Sequence, residues 1–160
     1  MILAGTGHRP EHLGGYAPNN LAARIYAATL GHLKTLKPDK VISGMALGFD
    51  MMLAEACIEL GIPFIAAIPC ATQAGIWPAQ AQERWRTLRD RAERVEVLAE
   101  LYTPSVMHAR NRWMVDNSDG LIACWNGFYR GGTYHCVKYA QRQAKPILAR
   151  INPRTILEEP

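Results

Sequence analysis

The sequence predicts an α/β protein in three layers, with helices on both faces of a mainly parallel sheet of about six strands. Three observations predict it. Short apolar runs alternate with helical patterns along the whole chain. Helix stop signals fall where one pattern gives way to the next. Glycine-bearing turns follow several of the apolar runs, at the junctions where a strand of a parallel sheet hands over to its crossover helix.

The elements follow in order. Residues 1–4 form the first strand and lead into Gly5-Thr6-Gly7-His8-Arg9. A helix over 21–36 accepts Gly31 in its interior at some cost and closes at Lys37-Pro38-Asp39, because proline cannot continue the hydrogen-bond ladder. The strand 40–43 is followed by Ser43-Gly44-Met45-Ala46-Leu47-Gly48-Phe49-Asp50 and a helix over 47–60, stopped by Gly61 and Pro63. Strand 63–68 runs into the loop 69–78, which carries Trp77. Pro78 opens the helix 79–91, at a position where a missing amide costs little. Strand 94–98, helix 105–117 and strand 120–125 come next; Arg130-Gly131-Gly132-Thr133 then opens a helix over 133–143, and strand 146–151 closes the sheet. Such an alternation is Rossmann-like. At 160 residues the chain is expected to form one domain over 1–151, with 152–160 as a tail and the one place where disorder is expected.

With 49% hydrophobic and 20% charged residues the composition is that of a globular chain able to bury its own core, which excludes a disordered class. The first residues lack a basic leader and no apolar run approaches the roughly 18 residues of a membrane span, so a cytoplasmic location without a membrane partner is expected. Cys57, Cys70, Cys124 and Cys136 form no C-x-x-C pair, and neither a metal site nor a cofactor is expected. Net charge is +4, which favours anionic partners. The basic residues nevertheless alternate with acids, as in residues 83–94, and no basic and aromatic cluster stands out along the sequence, so nucleic acid is disfavoured as a partner.

A glycine turn at a helix start lets a ligand approach backbone amides under the positive end of the helix dipole. Three such turns at the carboxyl ends of parallel strands predict a site for a phosphorylated small molecule there. Its candidate residues are Gly5, Thr6, Gly7, His8 and Arg9; Ser43, Gly44, Met45, Ala46 and Gly48; and Gly131, Gly132 and Thr133. Asp50, in the first turn of its helix, would repel phosphate and suits a ribose hydroxyl or a helix cap. Trp77 reaches the same rim, either to stack on a base or to close the core. Arg112 and Asp116 are spaced to pair, which leaves Arg110, beside Asn111, as the free guanidinium for a phosphate. No G-x-G-x-x-G, Walker A, G-x-S-x-G or H-E-x-x-H pattern occurs, and the five histidines are scattered without an evident partner.

Four ordered blocks resemble the YpsA-like branch of the SLOG superfamily over about residues 1–150. They are Gly5-Thr6-Gly7-His8-Arg9-Pro10 with Leu13-Gly14-Gly15-Tyr16, residues 42–50, Arg110-Asn111-Arg112-Trp113-Met114-Val115-Asp116, and Gly131-Gly132-Thr133. That superfamily joins the DNA-processing protein of natural transformation with the "lonely guy" cytokinin-activating enzymes. The resemblance implies a Rossmann-like fold, a nucleotide or nucleotide-derived ligand, and a homo-oligomer, for which Trp113 or Phe128-Tyr129 would offer a contact. The lonely guy enzymes cleave the N-glycosidic bond of nucleoside monophosphates with an arginine in M-x-x-R-K-x-x-M and a glutamate in P-G-G-x-G-T-x-x-E. Met107, Arg110 and Met114 match the first motif, with Asn111 for its lysine; Cys136 stands where the second motif has its glutamate. The acids left to replace it are Asp50, Glu55, Asp116 and Asp119. The expectation is a nucleotide-binding sensor or sequestering protein, with a nucleoside-monophosphate N-glycosidase as the alternative.

Overall fold

The structure, a computed structural model, describes residues 1–160. Six parallel strands, β1 (Ile2–Gly7), β2 (Lys40–Ser43), β3 (Phe64–Ile68), β4 (Arg94–Val97), β5 (Gly120–Cys124) and β6 (Ile147–Ile151), stand in the order β4-β3-β2-β1-β5-β6. Helices α1 (Asn20–Leu36), α2 (Phe49–Leu60) and α3 (Ala79–Arg91) cover one face, and α4 (Val106–Asp116) and α5 (Gly131–Arg142) the other. The expected three-layer α/β/α sandwich is the fold observed. Because successive strand residues point to opposite faces, Leu3, Val41, Ala66 and Ile122 join the larger core beneath α1–α3. Ala4, Ile42, Ile65 and Leu121 join the smaller core beneath α4 and α5.

The sequence signals act as read at most junctions. Asn19 accepts the Ala22 amide at 2.8 Å and caps α1, which ends on Lys37 in the left-handed conformation (φ 47°). Gly61 (φ 67°) ends α2 in the same way, and Pro78 precedes α3. Asp119 accepts the Ile2 amide at 2.7 Å and so ties the start of β1 to the amino edge of the sheet.

Two expectations are corrected. Strand β1 does not stop at Ala4: Gly5, Thr6 and Gly7 continue it in register with Ile122, Ala123 and Cys124, because the flanking strand supplies ladder partners that a local reading cannot see. The chain after β6 does not trail away either. Ile156 is buried in the core beside α1, and Arg24 on that helix donates from its Nη2 to the Glu159 and Pro160 carbonyls at 3.0 and 3.1 Å.

The chain leaves β1 for β2 on one side and β5 for β6 on the other, so the connections diverge between β1 and β5. In open α/β sheets this switch point at the carboxyl edge is where a crevice forms. No helix of the protein is long and apolar enough to cross a membrane.

Candidate functional site

A polar cavity of about 750 Å³ opens at that switch point. Its walls come from the end of β1, the loop after β5, the start of α5, and α4; only Ala46, Met107 and Phe128 are apolar. Among the expected residues, Gly5, Thr6, Gly7, His8, Arg9, Ala46, Asp50, Arg110, Asn111, Gly131, Gly132 and Thr133 line it.

The three glycine segments do different work. At the start of α5 the amides of Gly131, Gly132 and Thr133 make no hydrogen bond within the chain, and no side chain caps the helix. A Cβ built on Gly132 would meet no atom within 4 Å, so packing does not demand glycine there. Three adjacent donors at the positive end of a 12-residue helix therefore face the cavity, flanked by Arg130, and Arg9 also lines its wall.

The turn before α2 is closed from within. Phe49 donates its amide to the His8 carbonyl at 3.1 Å, Ala46 donates to Asp50 Oδ2 at 3.3 Å, and Met45 donates to Ser43 Oγ at 3.2 Å. Asp50 thus places its own carboxylate where an anion would sit on this helix start. Ser43, Gly44 and Met45 lie buried below the cavity without lining it, while Gly48 borders a different hollow. Gly44 serves close packing: a Cβ there would stand 2.6 Å from Arg110 Cζ and 2.7 Å from Asp50 Oδ2.

Arg110 is not free. It is 4% exposed, its Nη1 donates to the Gly44 carbonyl and lies 3.8 Å from Asp50 Oδ2, and its Nε donates to Asn111 Oδ1 at 2.9 Å. Burial raises the Asp50 carboxyl and lowers the Arg110 guanidinium, and the charge of each partner offsets part of the other's shift. Arg110 is a charged strut between α4 and the β2–α2 turn, with one edge toward the cavity. The expected Arg112–Asp116 ion pair does not form; Asp116 accepts the Tyr139 hydroxyl at 2.9 Å.

Trp77 lines neither hollow. Its ring packs, partly buried, against the larger core and its carbonyl accepts Gln82 Nε2 at 2.8 Å. Trp113, expected as an exposed contact, is half-buried against the smaller core. The substitute acids disperse as well: Glu55 is bound by Arg84 through two hydrogen bonds of 2.6 and 2.7 Å, and Asp119 holds β1 at the far edge. Burial pushes the Cys136 thiol up to about 11, so at neutral pH this position offers no negative charge in place of the glutamate.

Glu11, His12, His108, Asn126 and His135, which no sequence pattern singled out as ligand contacts, complete the lining together with Met107, Phe128 and Arg130, which the sequence pointed to in other roles. Each lies within four residues of a turn or of Arg110, which was the available signal. Four of the five histidines gather here, His8 facing His12 at 5.1 Å between ring centroids and His108 facing His135 at 5.4 Å. His8 Nε2 accepts the Asn126 amide at 3.0 Å, and burial lowers its pKa below the usual 6.5.

A family model, that of the YspA SLOG family, matches residues 3–152. The chain belongs to the YspA SLOG family. Among curated relatives, this YspA SLOG chain is 26% identical over 121 residues to the SPbeta prophage-derived protein YoqJ of Bacillus subtilis (strain 168), covering 64% of this chain and 70% of YoqJ. It is 26% identical over 152 residues to a UPF0398 protein of Bacillus pumilus (strain SAFR-032), covering 88% of this chain and 81% of that protein. Solved structures with the same fold include two DNA processing proteins. DNA processing protein A of Streptococcus pneumoniae superposes with TM-score 0.65 at 18% identity over 91% of this chain, which spans about half (48%) of that protein. DNA processing protein A of Helicobacter pylori, described for its single-stranded DNA binding mode, gives TM-score 0.67 at 20% identity over 99% of this chain and 71% of its own.

The second likeness overturns the expectation that nucleic acid is disfavoured, because a protein with this fold binds single-stranded DNA. The premise of that expectation fails on physical grounds too. Basic and aromatic side chains that are spread over residues 125–154 in sequence meet at one edge once β5, α5 and β6 are assembled, with Arg150 over the Trp125 ring and Arg154 over that of Phe128.

Proposed function

We propose that this YspA SLOG chain binds a nucleotide or nucleotide-derived anion in the switch-point cavity, with a phosphate seated on the Gly131–Thr133 amides, and that it acts as a sensor or sequestering protein. One observation carries the reading: three consecutive amides at the start of α5 that no group of the chain satisfies, turned into a polar cavity with unpaired Arg9 and Arg130 at its walls. The cavity volume is within the usual range for a small-molecule site. The single-stranded DNA named for the Helicobacter pylori neighbour supports a phosphate-linked nucleotide as the chemistry this fold accommodates.

In this arrangement α5 supplies the anion seat, and His8, His12, His108 and His135 supply rings and N–H groups around the remainder of the ligand. Arg110 holds the floor in shape through Gly44 and Asp50. Hydrolysis is not part of the reading. Stabilising an oxocarbenium-like centre takes a carboxylate beside the sugar, Cys136 has none, and the Asp50 carboxylate is engaged by Ala46 and Arg110. Calorimetric titration with nucleoside mono-, di- and cyclic phosphates tests the proposal. Saturable binding lost in Gly132→Leu supports it; absence of heat with every member of the panel defeats it.

A further inference from the structure

Beyond the cavity, a run of aromatic rings continues outward from the anion seat. Tyr134 follows the seat directly, and its ring lies 6.3 Å from Trp125, 5.7 Å from Tyr129 and 5.4 Å from His135, which in turn meets His108 at 5.4 Å. Trp125 Nε1 donates to the Phe128 carbonyl at 3.1 Å, which fixes the loop that carries Phe128 and Tyr129. Tyr129 is 82% exposed and Phe128 42% exposed. Arg150 sits 4.8 Å over the Trp125 ring and Arg154 5.1 Å over the Phe128 ring. Neither of these arginines, nor Arg130, has a carboxylate within ion-pair distance.

Exposed rings ordered against one another cost solubility, and unpaired guanidinium groups among them keep apolar partners away. What the combination does fit is a chain that alternates flat rings with negative charge. Base-on-aromatic stacking tolerates any base, and guanidinium groups beside the rings match the phosphates between the bases. Position decides between one nucleotide and several. Phe128 and Arg130 line the cavity, but Trp125, Tyr129, Tyr134, Arg150 and Arg154 lie outside it. A single nucleotide seated on α5 within the cavity leaves these five side chains beyond its contacts.

We propose that the surface formed by Phe128, Tyr129 and Tyr134 with Arg150 and Arg154 is a stacking track for single-stranded nucleic acid, entering the cavity with one phosphate on the Gly131–Thr133 amides. The inference rests on the nucleotide reading of that cavity and extends it from a monomer to a strand.

The test compares thymidine monophosphate, by calorimetry, with a fluorescent oligothymidylate of about twelve nucleotides, by anisotropy, a length inside the usual site-size range. The oligomer is expected to bind at least tenfold more tightly than the monomer. Tyr129→Ala should weaken the oligomer by roughly tenfold and leave the monomer unchanged, while Tyr129→Phe, which keeps the ring, should restore the oligomer. Joint Arg150→Gln and Arg154→Gln should flatten the dependence of oligomer affinity on salt by about one unit of slope per lost contact. Both positions are exposed, and thermal melting checks that each variant folds. Monomer binding with no gain for the oligomer overturns the track and leaves the nucleotide reading standing; binding of neither probe overturns both. Equal affinity for duplex DNA overturns the single-strand assignment. Loss of self-association in Tyr129→Ala with oligomer affinity intact reassigns the surface to a second copy of this chain and overturns the proposal.

Discussion

Replacing Gly132 by leucine separates binding from folding more cleanly than any other change in the site. The added Cβ meets no atom within 4 Å, the residue is exposed, and its φ is not in the left-handed region, unlike that of Gly131 (φ 89°). An exposed substitution without a steric conflict changes stability by no more than about 0.5 kcal/mol, and a better helix former in the first turn of α5 moves it upward if at all. Binding behaves differently, because the side chain occupies the approach to three adjacent donors. Losing one charged hydrogen bond removes about 1.5–3 kcal/mol, or about a 10- to 150-fold rise in dissociation constant. Loss of all three amides takes the affinity below detection. Urea denaturation and calorimetry on the same sample provide both readings. A variant that binds as tightly as the parent refutes the assignment of the seat; a variant that unfolds refutes the statement that packing leaves this position open.

Arg110→Ala should act mainly on stability: it strips a buried Asp50 carboxylate of its partner at 3.8 Å and costs about 3–5 kcal/mol, read as a lower urea midpoint and partly recovered by adding Asp50→Asn. His8 gives the chain a pH dependence of definite sign. Its folded pKa lies below the ordinary 6.5, so the unfolded chain binds the proton first. Stability is full above about pH 6.5, falls as pH drops through that value, and levels off below the folded pKa. His8→Gln should remove that increment from a series of urea midpoints between about pH 8 and pH 5. Incubation with a panel of nucleoside monophosphates should release no free base by chromatography, since the Cys136 thiol, pushed up to about 11, carries no charge near neutrality. Base release lost in Asp50→Asn would establish the glycosidase alternative.

The fold was legible because its signals are local. Apolar runs, Pro38, Gly61 and Pro78 mark the elements by themselves, and the bounds of β2 and α3 agree with expectation residue for residue. The site was legible only in its neighbourhood. Whether a glycine turn exposes its amides depends on what the rest of the chain brings to it, and sequence cannot show that Asp50 turns back onto Ala46 or that the His8 carbonyl takes the Phe49 amide. The same blindness made Arg110 look free, because its partners Gly44 and Asp50 are sixty or more residues away. The histidines and the arginines over Trp125 and Phe128 gather only after β1, β5 and β6 are aligned, so a scan along the sequence found scattered residues where the fold has clusters.

In the proposed function one helix start of the three glycine segments, that of α5, holds the ligand phosphate. Amide-resolved NMR titration with a nucleoside monophosphate measures it directly. Saturable shifts are expected centred on the amides of Gly131, Gly132 and Thr133, with smaller ones at His8 and Arg9, and none at Met45 or Phe49, whose amides are held by Ser43 and His8. Shifts centred on residues 44–49 with residues 131–133 unmoved would contradict it.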